Sequence, residues 1–143
     1  MRERPGRVMK FKCETVQQIT VCLENRLGIL ADLCAHLCDR GVNIRAMAVL
    51  DGADAGTGRL IADNPELAKE VLSSAGVAYS TAKCLALEMP NNPGGFAGIA
   101  RALSLAGVNI DYIYASTLGG TTRALGIFGV SDIERAMGLD WEG

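Results

Sequence analysis

Long apolar runs are missing from this 143-residue chain. None approaches the roughly 18 residues that a bilayer span requires, so no transmembrane helix and no membrane partner are expected. Aromatic residues are scarce, at 5%, and His36 is the only histidine. It is therefore the one candidate for a Cys–His or Ser–His pair, and no flanking motif supports one. No phosphate-binding loop and no H-E-x-x-H motif occurs, and no cofactor is expected. Basic charge is not in excess: 14 Lys and Arg against 16 Asp and Glu give a formal net charge of -2. That argues against a nucleic-acid surface, which shows basic excess on one face. The five cysteines contain no C-x-x-C pair. Their odd number, with no apolar segment after the basic first residues to make a secretory signal, points to reduced thiols in a cytoplasm.

What is present excludes a disordered chain, because 49% of the residues are apolar and can bury enough surface to offset ordering entropy. The length suits one domain, or two of about 70 residues each. Arg2, Arg4, Arg7, Lys10 and Lys12 face only Glu3 in the first twelve residues. Residues 1–16 are expected to form a flexible basic tail, with Met9 as an alternative start of translation.

A shift of 66 residues superposes two parts of the chain. Glu24–Ile44 aligns with Pro90–Ile110, and eight of the 21 positions are identical: Asn25/Asn91, Gly28/Gly94, Ala31/Ala97, Leu37/Leu103 and the whole G-V-N-I at Gly41–Ile44 and Gly107–Ile110. The chain is a duplication, with units expected at 17–83 and 84–143. In the first, Gln18–Glu24 alternates as a strand with Ile19, Val21 and Leu23 inward. A helix with stripe Leu30, Leu33, Leu37 follows and ends at Gly41. Asn43–Leu50 is a strand, Asp51–Gly58 a hairpin loop and Arg59–Ala62 the return strand. Asn64 and Pro65 start a second helix, and Val77–Lys83 is a strand. In the second unit Cys84–Met89 is a strand and Gly95–Ala106 a helix with stripe Phe96, Ile99, Leu103. Asn109–Leu118 and Arg123–Gly129 are strands around the Gly119-Gly120 turn. Ser131 with Glu134 makes a capping box, and a closing strand is absent or very short.

Strand–helix–strand–strand–helix–strand is the ferredoxin-like βαββαβ unit. The expected fold is therefore α+β, two such units with antiparallel sheets and helices on one face. Ala46/Met47/Ala48/Val49 and Tyr112/Ile113/Tyr114/Ala115 are apolar or small on both faces. The face without helices then needs cover from the other repeat or from another chain, and a homodimer is expected.

The N-x-x-G turn entering a helix and G-V-N-I leaving it, recurring at a fixed offset over about Gln18 to Gly138, resemble the ACT domain, in the tandem arrangement that has no attached enzyme. That resemblance implies a non-enzymatic regulatory module binding an amino acid at an interface between paired domains, with a metabolic enzyme as a possible partner. By position it implies a site at Asn25, Arg26, Leu27, Gly28 and Ile29 with Asn43 and Ile44. In the second half the residues are Asn91, Asn92, Pro93, Gly94 and Gly95 with Asn109 and Ile110. The family often has proline before the turn glycine, as at Pro93; the first half has Leu27. Physically, such a turn offers backbone N–H groups at a helix N-terminus to a carboxylate, and an asparagine amide can hold an ammonium group. Affinity from about millimolar to ten micromolar is expected for a ligand of that size.

Each of these residues also has a structural explanation. The glycines serve turns and caps, and Asn43 and Asn109 can bond their own turn backbone. Cys34 and Cys38, four apart on a helix, have a spacing that could hold a metal, but they read as small core residues beside Leu33 and Leu37, and Ala100 and Ser104 replace them in the second half. No metal site is expected. His36 reads as a surface residue. Arg45 and Asp111, at equivalent positions, could pair or face solvent. The alternatives to a ligand-binding regulator are a regulatory subunit that binds an enzyme without a ligand of its own, and a small enzyme or metal carrier using Cys34, Cys38 and His36.

Overall fold

A computed structural model describes residues 11–52, 55–116, 119–120 and 122–141. Among them run β1 (Lys12–Glu24), α1 (Ile29–Asp39), β2 (Ile44–Leu50), β3 (Ala55–Ala62), α2 (Pro65–Ser74), β4 (Tyr79–Pro90), α3 (Gly94–Leu105), β5 (Ile110–Ser116), β6 (Arg123–Val130) and α4 (Ile133–Met137). The chain divides into a unit of residues 17–82 and a unit made of the segment up to Val16 together with the chain from Lys83 onward. Met9, most of the basic tail and Leu118 lie outside the described residues.

In the unit of residues 17–82, β3 lies between β2 and β1, and β1 has the first residues of β4 on its other side. The strands are antiparallel, with Ile19 opposite Leu60 and Val21 opposite Gly58. Alternation puts Ile19, Val21, Leu23, Leu60 and Ala62 on one face, and α1 and α2 bury Leu33, Leu37, Ala68, Val71 and Leu72 against it. Asn64 caps α2: its Oδ1 accepts from the Leu67 N–H at 3.1 Å, with Pro65 at the first helical position. Gly41 ends α1 at φ 76°, where the Val42 N–H reaches the Leu37 carbonyl at 2.9 Å. Gly107 repeats this after α3, with φ 74° and Val108 N–H on Leu103 O at 2.9 Å. Gly41→Ala is expected to cost roughly 1–2 kcal/mol, read as a shift in urea midpoint. Nothing lies within 4 Å of an added methyl, so the cost is backbone strain alone.

The second unit has the same strand order. β6 lies between β5 and β4, with Leu85 opposite Phe128 and Tyr114 opposite Ile127. Leu85, Leu87, Met89 and Phe128 pack on Ile99, Leu103 and Ala136, and Phe11 and Trp141 belong to the same core. The fourth strand, which appeared absent from the sequence, is the leading part of β1. Lys12–Val16 lies in this unit, and Phe11, expected in a tail, is 3% exposed. The Cys13 thiol reaches Met137 Sδ at 3.6 Å. Burial first, then the Glu14 charge, pushes its pKa up from 9.0 to about 11, so it stays protonated at neutral pH.

Four details differ from the sequence reading. Leu30 and Phe96 do not face the core; they are 37% and 49% exposed, and Ile29 and Gly95 hold the inward positions. The α4 cap is Asp132, whose carboxylate accepts from the Arg135 N–H at 3.0 Å, while Ser131 Oγ accepts from the Asn109 N–H at 2.9 Å. Cys34 is half-buried and Cys38 exposed, so neither is a full core residue. Residues 55–58, expected in the hairpin loop, are strand.

The helix-free face of the second unit is partly covered from within. Tyr112 stands opposite Gly129, its ring lies in the space a side chain there would need, and its Oη is 3.4 Å from the buried Cys84 thiol.

Candidate functional site

The turn between β1 and α1 is where charge and space coincide. Gly28 caps α1 in the left-handed conformation (φ 88°), with no side-chain hydrogen bond to the helix. No side chain at the cap position satisfies the first-turn N–H groups of α1; the Ile29 N–H donates to the Arg26 carbonyl at 3.4 Å, and Asp32 adds an acidic group to the first turn, where the helix dipole favours negative charge. Arg26 follows the strand and turns back. Its Nε is 3.4 Å from Glu24 Oε2 and its Nη1 is 3.2 Å from Asp32 Oδ2. All three side chains are about half exposed or more, so these pairs add little stability. Their arrangement matters more, because one cation sits between two carboxylates.

These residues line a cleft of about 370 Å³. Its walls are Cys22, Leu23 and Glu24 from β1, Arg26, then Ile29, Asp32, Leu33 and His36 from α1, and Ala75–Ala78 after α2. Ile29, Asp32 and His36 share a helix face at spacings of three and four, as 3.6 residues per turn requires. The cleft thus has an apolar side and a rim of both charge signs. Arg26 can share its five donors with a ligand carboxylate, and Glu24 and Asp32 can accept from an ammonium group.

The other expected residues are distributed differently. Leu27 points to solvent, fully exposed, and Asn25 is exposed in the bend. Asn43 and Ile44 follow the C-terminal end of α1, about 16 Å along the helix from Gly28, and do not reach the cleft within this unit. Asn43 exchanges backbone bonds with Asp63: its N–H donates to Asp63 Oδ1 at 3.0 Å and its carbonyl accepts from the Asp63 N–H at 2.9 Å. Ile44 packs on the core.

In the second unit the turn serves itself. Asn92 Oδ1 accepts from the Gly94 N–H at 2.9 Å, and the Asn92 carbonyl accepts from the Gly95 N–H at 3.1 Å. The Asn91 N–H donates to Thr122 O at 2.9 Å. Pro93 precedes the helix without an N–H to offer. Asn109 and Ile110 instead line a separate depression of about 410 Å³ with Ala100, Ser104, Gly107 and Val108, and the Asn109 amide donates to Asp111 Oδ1 at 2.9 Å. Glu24, Asp32 and His36 were not singled out as ligand contacts from the sequence. For Asp32 and His36 the one signal there is the helix face they share with Ile29; Glu24, at the end of β1, has none. No cluster of three or more metal-ligating side chains exists among the described residues.

The sequence profile of the ACT domain pair matches residues 14–139. The chain belongs to this family. Each unit described above is thus an ACT unit with a ferredoxin-like fold. A protein of Bacteroides thetaiotaomicron has a similar structure, with TM-score 0.81 and 26% identity over 87% of this chain and 85% of that one. The ligand-free regulatory subunit of aspartate kinase from Thermus thermophilus shares the ACT-pair fold at TM-score 0.63 and 18% identity, over 85% and 87% of the two chains. The corresponding subunit from Thermus flavus does so at TM-score 0.61 and 18% identity, over 91% and 92%. No curated protein sequence matches the chain. No helix of the described ACT pair is long and apolar enough to cross a membrane.

Proposed function

We propose that this ACT pair is a non-enzymatic regulatory protein that binds a free amino acid in the cleft beside Arg26. The observation that carries the reading is the cleft itself, with Arg26 held between Glu24 and Asp32 beside an uncapped helix start. A zwitterion has the complementary pattern, a carboxylate next to an ammonium group. Leu23, Ile29, Leu33 and Val77 offer apolar surface to its side chain. The likeness to regulatory subunits of aspartate kinase supports a regulatory role, and a metabolic enzyme is the partner class that role calls for. The apolar residues exposed on the outer strands, Val49, Leu50 and Ile113, support assembly as a homodimer, and the free cysteines support a reducing compartment such as the cytoplasm. Asn43 and Asn109 then contribute only across an interface between copies.

Calorimetry with each of the twenty L-amino acids tests the reading. At least one is expected to bind between about millimolar and ten micromolar. Arg26→Ala should weaken that binding about tenfold or more, because a hydrogen bond to a charged group is lost. Absence of heat with all twenty would leave the alternative, a regulatory subunit that contacts its enzyme without a ligand. An unchanged affinity in Arg26→Ala would move the site elsewhere.

A further inference from the structure

The duplication supplies two copies of the turn, yet the two copies are furnished differently. By the repeat, Glu24, Arg26, Asp32 and His36 correspond to Pro90, Asn92, Gly98 and Ala102. None of these four side chains is kept in the second, and Glu88, at the repeat position of Cys22, is already paired with Arg123 at 3.3 Å. The space is treated differently as well. In the unit of residues 17–82 the residue just before the fourth strand is Ala78, which lines the cleft. In the other unit the residue just before the fourth strand is Phe11. Its ring lies over Gly98, so close that a Cβ added there would sit 3.2 Å from the ring tip. The Phe11 N–H donates to the Trp141 carbonyl at 2.9 Å, and the Trp141 ring meets it edge-on with centroids 5.9 Å apart. A large side chain thus fills the place beside α3 that Ala78 leaves open beside α1, and the glycine at 98 admits it.

We infer that, of the two repeated turns, only the first keeps an open ligand cleft, and that its counterpart in the second unit is closed by the Phe11 ring acting as a built-in occupant. The inference rests on the amino-acid reading above and specifies its stoichiometry: one zwitterionic ligand per chain, held in the first ACT unit. The second ACT unit keeps the fold of a sensor without the Arg26, Glu24 and Asp32 arrangement or the vacancy beside it.

The test uses the full chain, labelled with ¹⁵N and titrated in turn with each of the twenty L-amino acids, with calorimetric stoichiometry for any that bind. The expected result is one equivalent per chain, resonance changes at Cys22–His36 and Ala75–Ala78, and none at Glu88–Ala102. Two equivalents, or direct changes at Glu88–Ala102, would overturn the single-cleft inference and leave the amino-acid reading standing. No change with any amino acid would overturn both. The plug is checked separately with benzene, which enters empty apolar cavities. Phe11→Ala should let benzene perturb Ile99 and Leu103, and the native chain should not. Equal perturbation in both would show the second cleft open from the start and defeat the inference. Should Phe11→Ala fail to fold, Phe11→Leu with xenon as the smaller probe gives the same two outcomes.

Discussion

Trp141→Ala is expected to lower the unfolding free energy of the protein by about 3–5 kcal/mol. That is a large fraction of the roughly 5–15 kcal/mol available to a domain. Trp141 is 5% exposed. Its Nε1 donates to the Ala136 carbonyl at 2.9 Å, and its own carbonyl accepts from Phe11. α4 spans only Ile133–Met137, far too short to be stable alone. The indole therefore ties that helix to the strand Lys12–Val16, and both depend on it. Trp141→Phe should recover most of the packing and lose about 1 kcal/mol for the hydrogen bond. Guanidinium unfolding followed by circular dichroism measures both. The native chain should also show blue-shifted emission, since its single tryptophan is buried. A Trp141→Ala loss below about 1 kcal/mol would contradict the place given to this residue in the core.

Much of the fold was legible because its signals are local or repeated. Ile19, Val21 and Leu23 alternate, Asn64-Pro65 starts a helix, and Gly41 and Gly107 stop two others. The sequence pattern sets the helix stripes one residue late, at Leu30 and Phe96. Positions three and four before an inward residue both satisfy a 3.6 period, and the left-handed Gly28 sets a phase that favours Ile29. In the second half the true inward position is Gly95, which has no side chain to read. The fourth strand of the second unit leaves no signal near its neighbour β4 in the sequence, because it lies more than sixty residues before that strand. F-K-C-E-T-V does alternate, with Phe11 and Cys13 inward, but it adjoins a run of basic residues that reads as a tail. Around the candidate cleft, Arg26, Gly28 and Ile29 are among the residues that the ACT resemblance implies by position. Glu24, Asp32 and His36 are not, since a polar residue at a strand end or on a helix normally faces solvent, and only tertiary geometry brings these three to one cleft.

The helix-free face yields the second large effect. Gly129→Val is expected to cost about 3 kcal/mol or more, at the upper end of overpacking penalties. Gly129 is buried on β6, and the six-membered ring of Tyr112 occupies the volume into which any Cβ would project. A ring on a paired strand has no small adjustment available, unlike the end of a long flexible chain. The first added carbon makes the clash, so Gly129→Ala should be nearly as costly as Gly129→Val. To relieve it, Tyr112 must swing away from Cys84, which is 0% exposed. Maleimide labelling of Cys84, followed by peptide mass analysis, should therefore rise from negligible in the native chain to readily detected in Gly129→Val. Tyr112→Phe keeps the ring, gives up only the 3.4 Å contact between Oη and Sγ, and should cost no more than about 1 kcal/mol. Combining Tyr112→Ala with Gly129→Val removes the obstacle, so the double variant should be less destabilised than the two single variants added together. Strict additivity would show that the ring and the glycine do not share this space.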